Sequence, residues 1–157
     1  MGLIAICLYL VGALGALLYF LLYLITPEIA SAVSESTLIV LRCGAIGGLG
    51  GVVYCIRGVY LNKCVRKCWD SDWYVWYLLR PLASCICGGV AFLFMKAGLL
   101  LLDASKDQTS NDVGLYALAF IAGLNVDKFL QKIEDIGNAA WGIEKSRTAN
   151  TKDDKGN

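Results

Sequence analysis

The sequence predicts an all-α membrane protein, a bundle of four transmembrane helices with an amphipathic helix at its inner face. Three observations predict it. First, the 157 residues are 57% hydrophobic and only 17% charged, where a soluble domain carries about 25% charged residues. Second, the charges sit in short patches between long apolar runs. Third, the loops between those runs alternate in sign along the chain. No polar stretch approaches the roughly 50 residues of a separate soluble domain. The expected organisation is therefore one membrane domain over residues 1–145 and a polar, disordered tail over residues 146–157.

Residues 2–25 form the first predicted span, 24 residues without a charge. The run is too long for a signal peptide, lacks a basic start and ends in Thr26-Pro27-Glu28, so a retained helix is expected. Gly12 and Ala16 make a small-xxx-small pair that would let another helix approach. The second span covers residues 37–56. Its Gly44, Gly47, Gly48 and Gly51 fall on one helical face and predict a groove for a neighbouring helix. A pore-lining face is the alternative reading of the same pattern.

The third span, residues 81–102, contains 22 nearly unbroken apolar residues, enough to cross about 30 Å of hydrocarbon at about 1.5 Å per residue. Gly88 and Gly89 mark its packed side. Ahead of it stand Trp69, Trp73, Trp76, Tyr77 and Arg80, which share about a third of a helical wheel. Aromatic residues of this kind favour the headgroup layer. Because the residue before a proline avoids helical geometry, the sequence predicts an interfacial helix over residues 70–79, a turn near Arg80, and then the span. One longer, kinked helix is the alternative.

Residues 113–125 are a short fourth span, either continuing past Asn125 or re-entering the membrane. Ala119 and Gly123 supply its small-residue contact. From Val126 the pattern becomes amphipathic. Val126, Phe129, Leu130, Ile133, Ile136, Ala140 and Trp141 recur at helical spacing and predict a helix over residues 126–144.

Orientation follows from the loops. Residues 57–67 hold Arg57, Lys63, Arg66 and Lys67 with no acid, residues 26–36 hold Glu28 and Glu35 with no base, and residues 103–112 are net acidic. The bias of basic residues toward the cytoplasm places both termini and the basic loop inside, in a multi-pass protein of the inner membrane.

Two charges within the spans are candidate pore or cavity groups. Lys96 is the only formal charge of the third span. It shares a stripe with Cys85, Gly88, Gly89 and Phe92, so it is expected to face inward. Arg42 lies at similar depth on the second span, opposite the glycine face. Each has snorkelling to the headgroups as its alternative. Arg57, Lys63, Arg66, Lys67 and Arg80 form a second candidate set, for anionic lipid, a phosphate-bearing ligand, an oligonucleotide or a cytosolic partner. Tyr60 and Trp69 stand nearby for stacking.

The chain has seven cysteines and no histidine. Five cysteines fall in apolar runs, and only Cys64 and Cys68 lie in a polar loop. Zinc would need two more ligands. No catalytic motif is present, so neither an enzyme nor a cofactor is expected.

The second half resembles a pattern in small prokaryotic multi-pass membrane proteins. There an Arg-Pro pair opens a glycine-bearing span, an acidic linker follows, and a short span ends in an A-F-x-A-G motif before an amphipathic helix. The matching residues are Arg80-Pro81, Gly88-Gly89 and Ala119, Phe120, Ala122 and Gly123. Some similar proteins are membrane effectors of antiphage defence, including those of the Hailong type. The resemblance implies an effector that depolarises the membrane when a nucleotide or oligonucleotide signal releases it. The expected function is thus a regulated, homo-oligomeric, ion-conducting membrane protein. The alternative is a non-conducting scaffold that docks a cytosolic partner through the basic loop and the amphipathic helix.

Overall fold

The computed structural model describes residues 2–67, 73–96, 98 and 112–142, and every structural statement here refers to these. All regular structure among them is helical: α1 (Gly2–Tyr23), α2 (Pro27–Ala32), α3 (Glu35–Tyr60), α4 (Tyr74–Lys96), α5 (Asp112–Leu124) and α6 (Val126–Trp141). Three helices are long and apolar enough to cross a membrane: α1, α3 with its extension to Val65, and α4. A fourth crossing arises only if Val113–Leu124 and Val126–Ala139 are taken together. Residues Met1–Val126 form one compact unit and Asp127–Asn157 a second.

Within the first unit α3 is central, with α1, α4 and α5 all packing on it. It starts at Glu35, earlier than expected, because Ser34 caps it. The Ser34 hydroxyl accepts the Thr37 backbone N–H at 3.4 Å and satisfies one of the first-turn donors. It also ends later. The chain continues beyond Tyr60 into a π-helical turn, Leu61–Val65, where the Arg66 N–H donates to the Leu61 carbonyl at 2.8 Å. The basic loop expected over residues 57–67 is therefore mostly helical. Lys67, with φ of 52°, ends it.

The glycine face packs as anticipated. A Cβ on Gly47 would lie 2.6 Å from the Ser84 carbonyl oxygen and 2.7 Å from the Gly88 Cα. Added carbons on Gly44, Gly48 and Gly51 would also meet α4. Gly123 of α5 lies against the Gly47 backbone, so Gly47, Gly88 and Gly123 form a junction of three helices at backbone contact. Ser84, fully buried, donates from Oγ to the Gly123 carbonyl oxygen at 2.9 Å. Gly50, which the four-glycine pattern passed over, faces α5, where its Cβ would run into the Phe120–Leu124 backbone. Gly89 departs from expectation: its Cβ would meet only a Val40 methyl at 3.8 Å, because it lies 100° round the helix from Gly88.

α1 attaches by one stripe. Ile6, Tyr9, Leu10, Ala13, Leu14 and Leu17 pack on a cluster that includes Val52, Cys55 and Tyr77. Leu10 is the only buried residue of α1. Gly12 and Ala16 lie on the outward side of that stripe and are exposed, and a Cβ on Gly12 would meet nothing within 4 Å among the described residues.

α4 overturns the predicted interfacial helix and turn. It is one helix from Tyr74 to Lys96 with Pro81 inside. The proline removes a single N–H and forfeits one helical hydrogen bond. An open turn would leave more backbone groups unsatisfied in an apolar setting. The Tyr9 hydroxyl also donates to the Leu78 carbonyl at 3.1 Å, beside the proline. The expected extents over residues 70–72, 99–102, 103–111 and 146–157 lie outside the described residues.

α5 has 13 residues, about 20 Å of helix, and does not continue through Asn125 as expected. Helical structure is interrupted there, at a residue whose side chain competes for backbone hydrogen bonds. In the second unit, α6 carries Phe129, Ile133 and Ile136 along one side and its charged residues on the other, and it runs through Gly137.

Candidate functional site: a basic and aromatic cleft

At least two cavities border the first unit. One, of about 440 Å³, is lined by apolar residues of α1, α3 and α4, with Cys85 among them, and no charged side chain reaches it. Another, of about 430 Å³, lies where α3 and its π turn meet the start of α4. Arg57, Asn62 and Arg66 come to it from one side, Trp73, Trp76 and Tyr77 from the other, and Tyr54 and Leu61 complete the wall.

The π turn explains how both arginines reach one cleft. Arg57 and Arg66 are nine residues apart. On a regular helix that separation places them about 180° apart, at about 100° per residue. The i→i+5 bonding of Leu61–Val65 puts more residues in each turn, so each rotates the chain less. Arg66 is thereby brought round toward the side of Arg57. Both arginines are exposed. In the same turn Asn62 donates from Nδ2 to the Tyr77 hydroxyl at 3.2 Å, tying the π turn to α4.

The rings form a connected set. Trp76 packs edge-on to Trp73 (6.0 Å between centroids) and Tyr77 (5.1 Å), and lies tilted against Tyr54 at 5.8 Å. Arg80 closes this set from behind. Its guanidinium carbon is 4.8 Å from the Tyr54 ring centroid and 5.2 Å from that of Trp76. Each such contact is worth about 0.5–2 kcal/mol, more when water is excluded. Arg80 is only 5% exposed. Its guanidinium is thus covered by Tyr54 and Trp76, and Arg80 does not line the cleft, unlike Arg57 and Arg66 with which the sequence groups it.

Lys63 and Lys67 are exposed but do not line the cleft. Tyr60, expected as a stacking platform, is exposed outside it, and Trp69 lies outside the described residues. The sequence reading passed over Tyr54, Asn62 and the π turn.

The two span charges separate. Arg42 donates from Nη2 to the Leu24 carbonyl at 2.9 Å, just beyond the end of α1. It thus satisfies a carbonyl orphaned at a helix C-terminus, where positive charge is also favoured. Its Nε is buried without a hydrogen-bond partner. Arg42 is therefore a strap holding α1 to α3, which accounts for it without a cavity. Lys96, expected to face inward, is exposed. It is the last residue of α4, and Gly98, with φ of 69°, turns the chain directly after it. Phe92 and Gly88, on the same stripe, remain buried because they lie deeper against α3.

No group of three metal-binding side chains occurs among the described residues. A comparison of the chain with protein-family models, curated proteins and solved structures found no match. The fold itself defines an all-helical protein with three to four helices long and apolar enough to span a membrane.

Proposed function

We propose that the protein is a multi-span inner-membrane protein that works as an assembly of copies and conducts ions under control of its cleft. One observation carries this reading: α4 is a single continuous helix. Trp76 and Tyr77 near its start line the cleft, and Lys96 stands exposed at its other end, about 30 Å from Trp76 for 20 residue steps. A ligand that shifts the first turns of α4 would therefore shift Lys96 with them. The glycine junction brings three helices to backbone contact in the middle of one copy, which favours an ion path between copies. In this reading the basic residues around the cleft place it on the cytoplasmic side, and Lys96 faces a space between subunits near the opposite side. The resemblance adds a context of antiphage defence, in which opening depolarises the cell.

The test is membrane potential in cells, followed with a voltage-sensitive dye on induced expression of wild type or Lys96→Leu. Wild type is expected to depolarise the cells, and the variant to do so weakly or with altered ion selectivity. Equal depolarisation by both would remove Lys96 from the path, and none by wild type in any condition would remove conduction altogether. Exposed Lys63 and Lys67, turned from the cleft, favour a second reading as a scaffold that docks an acidic cytosolic partner.

A further inference from the structure

We propose that the cleft is a binding site for the phosphate of an anionic phospholipid, with Arg57 and Arg66 as its two phosphate ligands. The assignment deepens the controlling role given to the cleft above and rests on it. Three features of the site carry it.

The first is charge. Arg57 and Arg66 are both exposed and both line the cleft, and a guanidinium pair suits phosphate oxygens better than point charges do. The first turn of α4, the positive end of that helix, borders the same space. The carbonyl end of the α3 extension approaches from the other side with the opposite partial charge, so the arginines must dominate.

The second is the state of the rings. A nucleobase would need an open aromatic face. Those of Tyr54 and Trp76 are already engaged by Arg80 on one side, and Trp76 also meets Trp73 and Tyr77. Trp73, 51% exposed, is left as the outermost ring. One ring at the rim is a poor stacking platform but suits the glycerol and upper acyl region of a lipid.

The third is place. The cleft opens at the end of two helices long enough to span the membrane. Val53 and Tyr60 of α3, four residues before and three after Arg57 and so on its side of the helix, are exposed. A ligand with a phosphate head and apolar tails meets both surfaces at once, whereas a soluble phosphate meets only the first.

The experiment uses the full chain in mixed vesicles of phosphatidylglycerol and phosphatidylcholine, with brominated acyl chains on one lipid or the other, and reads quenching of tryptophan fluorescence. Brominated phosphatidylglycerol is expected to quench more strongly. Arg57→Gln and Arg66→Gln should each weaken that preference on the order of tenfold, the scale of one lost charge-assisted hydrogen bond. Lys63→Gln and Lys67→Gln should leave it unchanged. Circular dichroism of each variant confirms that the helices persist.

Equal quenching by the two lipids overturns the proposal. So does an equal loss from all four substitutions, which would mean diffuse charge attraction rather than a site. Displacement of the lipid by inorganic phosphate or adenosine monophosphate overturns it in favour of a soluble ligand. Because no ion flux is measured, a lipid site persisting in a non-conducting protein would refute conduction alone.

Discussion

Gly47→Ala tests the three-helix junction directly. The new Cβ would lie 2.6 Å from the Ser84 carbonyl oxygen and 2.7 Å from the Gly88 Cα, and both are backbone atoms that no rotamer change can move. Ordinary contact starts at 3.4 Å, so α3 and α4 must separate locally by 3.4 − 2.6 to 3.4 − 2.7, roughly 0.7–0.8 Å. That separation also strains the contact of Gly123 with the Gly47 backbone and the Ser84 hydrogen bond to Gly123. Overpacking of a tight core costs about 1–3 kcal/mol, so unfolding in mixed micelles of increasing dodecyl sulfate should begin at distinctly lower detergent fraction. Tryptophan fluorescence follows it through Trp73 and Trp76. Gly12→Ala is the control, since its Cβ meets nothing within 4 Å. Stability of Gly47→Ala equal to wild type, or an equal loss in Gly12→Ala, would refute the argument that backbone contact at this junction holds the bundle.

Further outcomes follow from single contacts. Ser84→Ala removes the 2.9 Å bond to Gly123 and should cost about 0.6 kcal/mol and at most about 1.7 in the same titration, by analogy with other interhelical bonds in membranes. Its effect should therefore fall below that of Gly47→Ala. Arg42→Leu frees the Leu24 carbonyl and should raise hydrogen exchange at the end of α1 and in α2, leaving α4 unchanged. Faster exchange spread evenly over the unit would show that Arg42 does more than strap α1.

The spans were legible because apolar runs of this length have few other uses, and the four-glycine face was legible because three- and four-residue spacing is a helix's own period. The wheel also grouped Trp73, Trp76, Tyr77 and Arg80 correctly. It could not show what that group closes around, because Tyr54 comes from another helix. The wheel could not show the partner of Arg42 for a related reason: it is a backbone carbonyl, which leaves no mark in the residue types. Lys96 was placed by stripe alone, and a stripe says nothing of where a helix stops. Pro81 was read as a boundary by a rule learned from water, where an opened turn is solvated. The π turn had no signature at all, since Leu61, Asn62, Lys63, Cys64 and Val65 form an ordinary helical pentad.

That π turn makes the segment sensitive to length as well as to composition. A turn with one residue in excess acts as a register shift: it delays everything after it by a fraction of a helical step. Removing one residue after Asn62 within the turn would let the chain close as an ordinary α-helix, and eight steps of about 100° would leave Arg66 about 80° from Arg57, still on its side. The same residues wound as an α-helix with none removed would set the two arginines about 180° apart. The cleft is thus written partly in a count: the segment keeps it by winding loosely or by being one residue shorter, and loses it when it does neither.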